Sequence, residues 1–179
     1  MPYKKPLPAP VVASLMQRLA PYRAPQYDHT LQSKFWPHVY NELPGTGTNT
    51  DRLQVITGTD SAPVAVQITG TITQKTPQKD GDLHLAFTPD DAAFPTNQAS
   101  GEQPLEAEII YAGRVTQPDA AKAQIGYKNP ILIAQLKKGT RVQIAGPVIF
   151  DRAHGSLSTG NNVGYGLEIH PIAALTVLG

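Results

Sequence analysis

The chain has 179 residues, 40% hydrophobic residues and 16% charged ones, which suits one ordinary soluble domain with an appendage and excludes a disordered chain. A formal net charge of +1 excludes a strongly electrostatic whole-protein partner. With no Cys, disulfides, zinc–thiolate sites, iron–sulfur clusters and Cys nucleophiles are excluded as well.

No apolar run approaches the ~20 residues that a membrane helix needs, so no membrane partner is expected. The start, MPYKKPLPAP, is basic but lacks the apolar stretch of a secretory signal. A cytoplasmic location fits, as does an extracellular one if a signal has been removed, and the sequence does not choose between them.

Residues 1–50 carry a net charge of +3 and the remainder −2. The first part reads as a helical, Pro-rich arm. Pro10 suits the first turn of a helix whose stripe is Val11, Val12, Leu15, Met16 and Leu19, and Pro21 stops it. A second segment, capped by Asp28 or Thr30, carries Leu31, Phe35, Val39 and Leu43, with Pro37 inside it. GTGTNT at 45–50 reads as a linker, so the boundaries are 1–50 for the arm and 51–179 for a β-domain.

From residue 52 the hydrophobic period falls from 3.6 to 2. Leu53, Val55 and Thr57 alternate, then Val64, Val66, Ile68 and Ile72, with Gly70 marking a bulge or a sharp coil. Lys79-Asp80-Gly81 reverses the chain into Leu83, Leu85 and Phe87. Glu106 and Glu108 alternate with Ala107 and Ile109. Asn129 as N-cap, Pro130 at the first turn and Gly139 past the end bracket a helix near 129–138. Thr140–Phe150 reads as a strand interrupted at Gly146-Pro147, and Leu167–Leu178 as a last strand with Pro171 at a bulge or edge. Leu83, Leu85, Val142, Ile144, Leu167 and Ile169 should point inward.

The fold class is therefore mainly β. Residues 64–178 resemble an OB-fold, a five-stranded Greek-key barrel with one inter-strand helix, preceded here by the helical arm. The Gly-coiled first strand, the DGD hairpin and LKKGTRVQIAGPV carry that resemblance. The chain is also similar to bacterial OB-like domains of unknown function that combine DGDxHL, Asp-x-x-His-Gly and ExHP motifs. Here these are Asp80-Gly81-Asp82-Leu83-His84-Leu85, Asp151-Arg152-Ala153-His154-Gly155 and Glu168-Ile169-His170-Pro171. The DGD turn further resembles the thermonuclease family, in which the likeness implies calcium-binding carboxylates. Only Asp82 matches such a ligand, and that family's catalytic arginine and Asp-Thr-Pro-Glu segment have no properly spaced counterpart.

The three motifs supply the candidate polar or metal cluster: Asp82, His84, Asp151, His154, Glu168 and His170. Asp82 and His84 share a strand face, as do Glu168 and His170, directed away from the barrel interior. If the sets converge, the donors suit a divalent metal such as zinc or manganese. The structural reading is that Asp80 and Asp82 stabilise turns, Asp151 caps a loop and the imidazoles act as hydrogen-bond clips. On that reading no cofactor is expected and no residue is catalytic. No G-x-S-x-G elbow or P-loop occurs, and GNNVGYG at 160–166 precedes no helix.

Single-stranded nucleic acid is the usual ligand of an OB barrel. Candidate contacts are Arg114, Lys128, Lys137, Lys138 and Arg141, with Tyr111 and Tyr127 for stacking. Glu106 and Glu108 on a central strand oppose it. The function expected is a non-catalytic OB-like binding or assembly module, the arm covering its own barrel or joining a homo-oligomer or larger assembly. The alternatives are a metal-dependent, phosphodiesterase-like hydrolase and a single-stranded nucleic-acid-binding protein.

Overall fold

The computed structural model describes residues 7–31, 53–57, 63–78, 82–95, 105–109, 130–151 and 166–179. Helix α1 spans Ala9–Leu19 and is followed by 3-10 turns at Ala20–Tyr22 and Pro25–Leu31. The strands are β1 (Leu53–Val55), β2 (Ala65–Pro77), β3 (Leu83–Pro89), β4 (Leu105–Ile109), β5 (Arg141–Asp151), β6 (Leu167–Ile169) and β7 (Ala174–Val177). A short helix, α2 (Pro130–Gln135), precedes β5.

Five strands close a mixed barrel. β2 pairs antiparallel with β3, and β3 with β4; β4 pairs parallel with β6, and β6 returns antiparallel to β5, which pairs with β2. β5 is the shared wall. One edge takes β2 and then β1, while the other takes β7 and then β6. Closure leaves no open edge in the ring, which is how a small sheet avoids pairing with other chains.

Alternation fills the interior as the sequence implies. Leu83, Leu85, Val142, Ile144, Leu167 and Ile169 are all buried, with Phe87, Leu105, Ala107, Ile109, Val148 and Phe150. The period of two runs through Gly146-Pro147 without a slip. The expected interruption of this strand is therefore corrected: Pro147 stays in register opposite Ala65. The last strand needs the opposite correction. It divides at His170-Pro171, a cis peptide, into β6 and β7, which pair with different stretches of β5.

Gly70 answers a close approach. A Cβ there would run into the Thr88 carbonyl, and would stand 2.6 Å from Phe87 Cζ and 2.8 Å from Pro89 Cα. The register shift in β2 lies further on, between Ile72 and Gln74. Gly146 is squeezed in the same way, against the Pro171 carbonyl and, at 2.9 Å, Ile169 Cγ2.

The described part of the arm packs on the barrel of its own chain. Leu7, Leu15 and Leu19 join the barrel's hydrophobic cluster, and Val11, Val12 and Met16 lie partly buried against it. The 3-10 turn Pro25–Leu31 takes in Asp28 and Thr30, and the helix expected to follow them falls outside the described residues. The Asp28 carboxylate ties this turn to the barrel. It accepts from the Ala65 N–H at 2.8 Å and pairs with Arg23 at 2.6 Å. The Ala24 N–H donates to the Ala65 carbonyl, and Tyr22 donates to Asp91 at 2.6 Å with its ring edge-on to Phe94. Phe35, Val39, Leu43 and the 45–50 linker lie outside the described residues.

Two substitutions test these constraints. Gly70→Ala is expected to lower stability by roughly 1–3 kcal/mol through overpacking against β3; an unchanged urea midpoint would contradict the close approach. Leu19→Ala should cost about 2–5 kcal/mol in the same measurement if the arm and barrel share one core. A cost confined to a separate, earlier transition would show that the arm folds apart from the barrel.

Candidate functional site

The sheet register assembles the site. In β3 and β4 the inward residues are Leu83, Leu85 and Phe87 facing Ile109, Ala107 and Leu105. The alternate positions therefore point to the outer face, where His84 stands opposite Glu108 and Ala86 opposite Glu106. Parallel pairing of β6 with β4 adds Glu168 beside Glu106. The main chain beyond β6 continues this seam, since the Ile172 N–H donates to the Glu108 carbonyl at 2.8 Å. His170 lies between those two fixed points.

Although on the outer face, Glu108, Glu168 and His170 are buried, at 6%, 4% and 7% exposure. His84 is half-buried. Glu108 is the centre of the group. Its Oε1 contacts His84 Nε2 and its Oε2 lies 2.6 Å from His170 Nδ1. His170 Nδ1 is also 3.8 Å from Glu168 Oε2, and His84 Nδ1 is 3.9 Å from Glu106 Oε2. Donor atoms of Glu108, Glu168 and His170 all lie within 4.8 Å of one another, a spacing that can hold a metal ion.

The electrostatics follow from burial set against pairing. Burial opposes the charge on Glu108, but the two imidazoles at its oxygens outweigh that and hold its carboxyl well below the ordinary range. Burial likewise opposes a charge on His170, and Glu108, with help from Glu168, raises it well above the ordinary imidazole value. His84 is raised by the same balance, burial being exceeded by Glu108, Glu106 and Glu168.

The six cluster residues named from the sequence fare differently. His84, Glu168 and His170 come together. Asp82 is buried, and its carbonyl accepts the Gln78 N–H at 2.8 Å across the β2–β3 turn. Asp151 ends β5 opposite Leu53. His154 lies outside the described residues. The residue that joins the cluster, Glu108, was not among the six. The sequence reading took it with Glu106 as an obstacle to nucleic acid. Its period-two spacing from Ala107 and Ile109 already put it outside the barrel; only the cross-strand register, opposite His84, was missing.

Of the nucleic-acid candidates, Lys137 and Lys138 are exposed beyond the end of α2. Arg141 donates to Asp90 from both Nε and a terminal nitrogen, at 3.0 and 2.7 Å. Arg114, Lys128, Tyr111 and Tyr127 lie outside the described residues.

Comparison with protein-family models and with characterised proteins finds no match for the chain.

The cluster makes stability depend on pH in a defined window. His170 titrates above 6.5, so its contribution is complete below that value and is lost as the pH rises toward its raised one. Glu108 titrates below 4.5, so its contribution is complete above that value and is lost on acidification. In EDTA-treated protein, Glu108→Gln should cost on the order of 3–5 kcal/mol, the cost of leaving a buried charge unpaired. The gap in thermal midpoint from the parent chain should be widest between pH 4.5 and 6.5 and narrow on either side. A gap independent of pH would contradict the pairing.

Proposed function

We propose that the chain is a non-catalytic, OB-like binding module whose ligand face is the outer wall of β3, β4 and β6. The ring order β2-β3-β4-β6-β5, with its parallel β4–β6 pair and α2 before β5, supports the OB-like reading. One observation carries the functional reading. His84, Glu108, Glu168 and His170 form a connected, largely buried ionisable group on a wall that packing alone would fill with apolar side chains. Well-packed hydrophobic residues in place of a buried ionic group are commonly neutral or stabilising, so a barrel that only had to fold would not need it.

The character of the wall selects its ligand. Its three glutamates, Glu106, Glu108 and Glu168, are only partly offset by His84 and His170, so the wall is not cationic toward a phosphate backbone. Nucleic-acid recognition needs the opposite, a cationic groove with stacking aromatics. Among the described arginines, Arg23 is engaged by Asp28 and Arg141 by Asp90. Glu108, the carboxylate placed as a general base would be, has an imidazole on each oxygen.

Two assays test the reading. With a nitrophenyl phosphodiester and added zinc or manganese, turnover should not exceed that of buffer. With a fluorescently labelled oligothymidylate at low salt, anisotropy should show no saturable binding. Turnover that disappears in His84→Ala, or salt-sensitive oligonucleotide binding, would overturn it in favour of the hydrolase or the nucleic-acid reading respectively.

A further inference from the structure

The geometry assigns a divalent transition-metal site, of the zinc class, to His84, Glu108, Glu168 and His170. This deepens the reading of the β3–β4–β6 wall as a ligand face and rests on it.

Geometry supplies the first argument. Donor atoms of Glu108, Glu168 and His170 lie within 4.8 Å of one another, and His84 Nε2 contacts the same Glu108 carboxylate. Ligands bound at ~2.1 Å in a tetrahedron stand ~3.4 Å apart, a difference that side-chain rotation on fixed strands spans. The backbone is fixed: His84 faces Glu108 in the β3–β4 ladder, Glu168 is in register with Glu106, and the Ile172 N–H holds the Glu108 carbonyl.

The donor set supplies the second. Two carboxylates balance the charge of one divalent ion, so the buried group stays neutral with both imidazoles as uncharged ligands. Nitrogen donors favour zinc, cobalt or nickel over magnesium and calcium, which prefer oxygen. Four protein donors make a closed site, the form of structural zinc, which agrees with a non-catalytic wall.

The third concerns what surrounds the donors. Glu106 Oε2 lies 3.9 Å from His84 Nδ1, while Nε2 of the same ring faces Glu108. That gap is longer than a hydrogen bond, and rotation of the Glu106 side chain would close it into the carboxylate–imidazole pairing that orients metal-binding histidines. His84 also retains 24% side-chain exposure, which gives an ion a way in.

The test uses the full chain stripped with EDTA. Calorimetric titration with zinc should show a single ion bound per chain with submicromolar affinity, while millimolar calcium or magnesium gives no heat of binding. Cobalt should produce visible d–d absorption that zinc abolishes. His84→Ala, at the most accessible ligand, should keep the fold and weaken zinc binding by about tenfold or more. His170→Ala should remove it, and Glu106→Gln should weaken it less than either. Absence of zinc binding to the parent chain, or binding unchanged in His84→Ala, would overturn the site. Either result leaves the turnover and oligonucleotide assays standing as separate measures of the wall. Conversely, turnover by a zinc-loaded chain would overturn the non-catalytic reading and retain the metal.

Discussion

Everything in this barrel depends on β5 having partners along both edges. A strand of eleven residues is long enough to serve four neighbours, and it changes partner on both sides near Gly146-Pro147. β7 leaves one edge at Ala145 and β6 takes it over at Val148; on the other edge β2 ends at Pro147 and β1 begins at Ile149. Pro147 has no N–H to give, so it fits where one ladder hands over to the next. Without that exchange β6 would have no antiparallel partner, and the ring would stay open between β4 and β5. The β4–β6 pair is parallel and joins distant parts of the chain, and β5, antiparallel to β6, completes the ring beside it.

The polar wall is a by-product of that closure with its own energetic demand. Bringing β6 against β4 puts Glu168 and His170 beside Glu108 at a place largely shut off from water. A lone carboxylate there would be neutralised by its surroundings. The two imidazoles prevent this, one at each oxygen, and the cluster balances charge within a few ångströms. Such a group adds little net stability over an apolar replacement, yet it is costly to break by halves. Burying it therefore makes more sense for a wall that holds something than for one that merely closes.

Much of the barrel was legible in the sequence because strands report their faces directly. Leu83, Leu85 and Phe87 alternate with polar residues, and the period of two in Val142, Ile144, Val148 and Phe150 survives an intervening Gly-Pro. Pro130 opens α2 as read, but the helix ends at Gln135, short of the expected 138; Gly139, with its positive φ of 88°, belongs to the turn that leads into β5. What failed did so where a local signal competed with a distant partner. The contacts of Asp28 with the Ala65 N–H and Arg23 were invisible to local pattern. Pro171 was read as a bulge or edge position within one strand, whereas the chain there leaves β6 and reaches a different stretch of β5. The site was half legible. His84, Glu168 and His170 stood out as motifs, while Glu108 acquires its role only from cross-strand register, which alternation alone does not set.

One short segment ties the fold to the site. Between β6 and β7, the His170 N–H donates to Pro147 at 2.9 Å, the Ile172 N–H to Glu108 at 2.8 Å and the Ala173 N–H to Ala145 at 2.8 Å. Four residues thus bridge β4 and β5 across the seam, and Gly146 is the position without a side chain that lets them pass. The His170 imidazole projects from this bridge onto Glu108, so backbone closure and side-chain pairing meet at one residue. A ligand gripped by His84, Glu108, Glu168 and His170 would therefore cross-link β3, β4 and the bridge. Its binding energy would act on the same seam that the three backbone hydrogen bonds close. On the proposed reading, ligand affinity and barrel stability would be linked there by mass action.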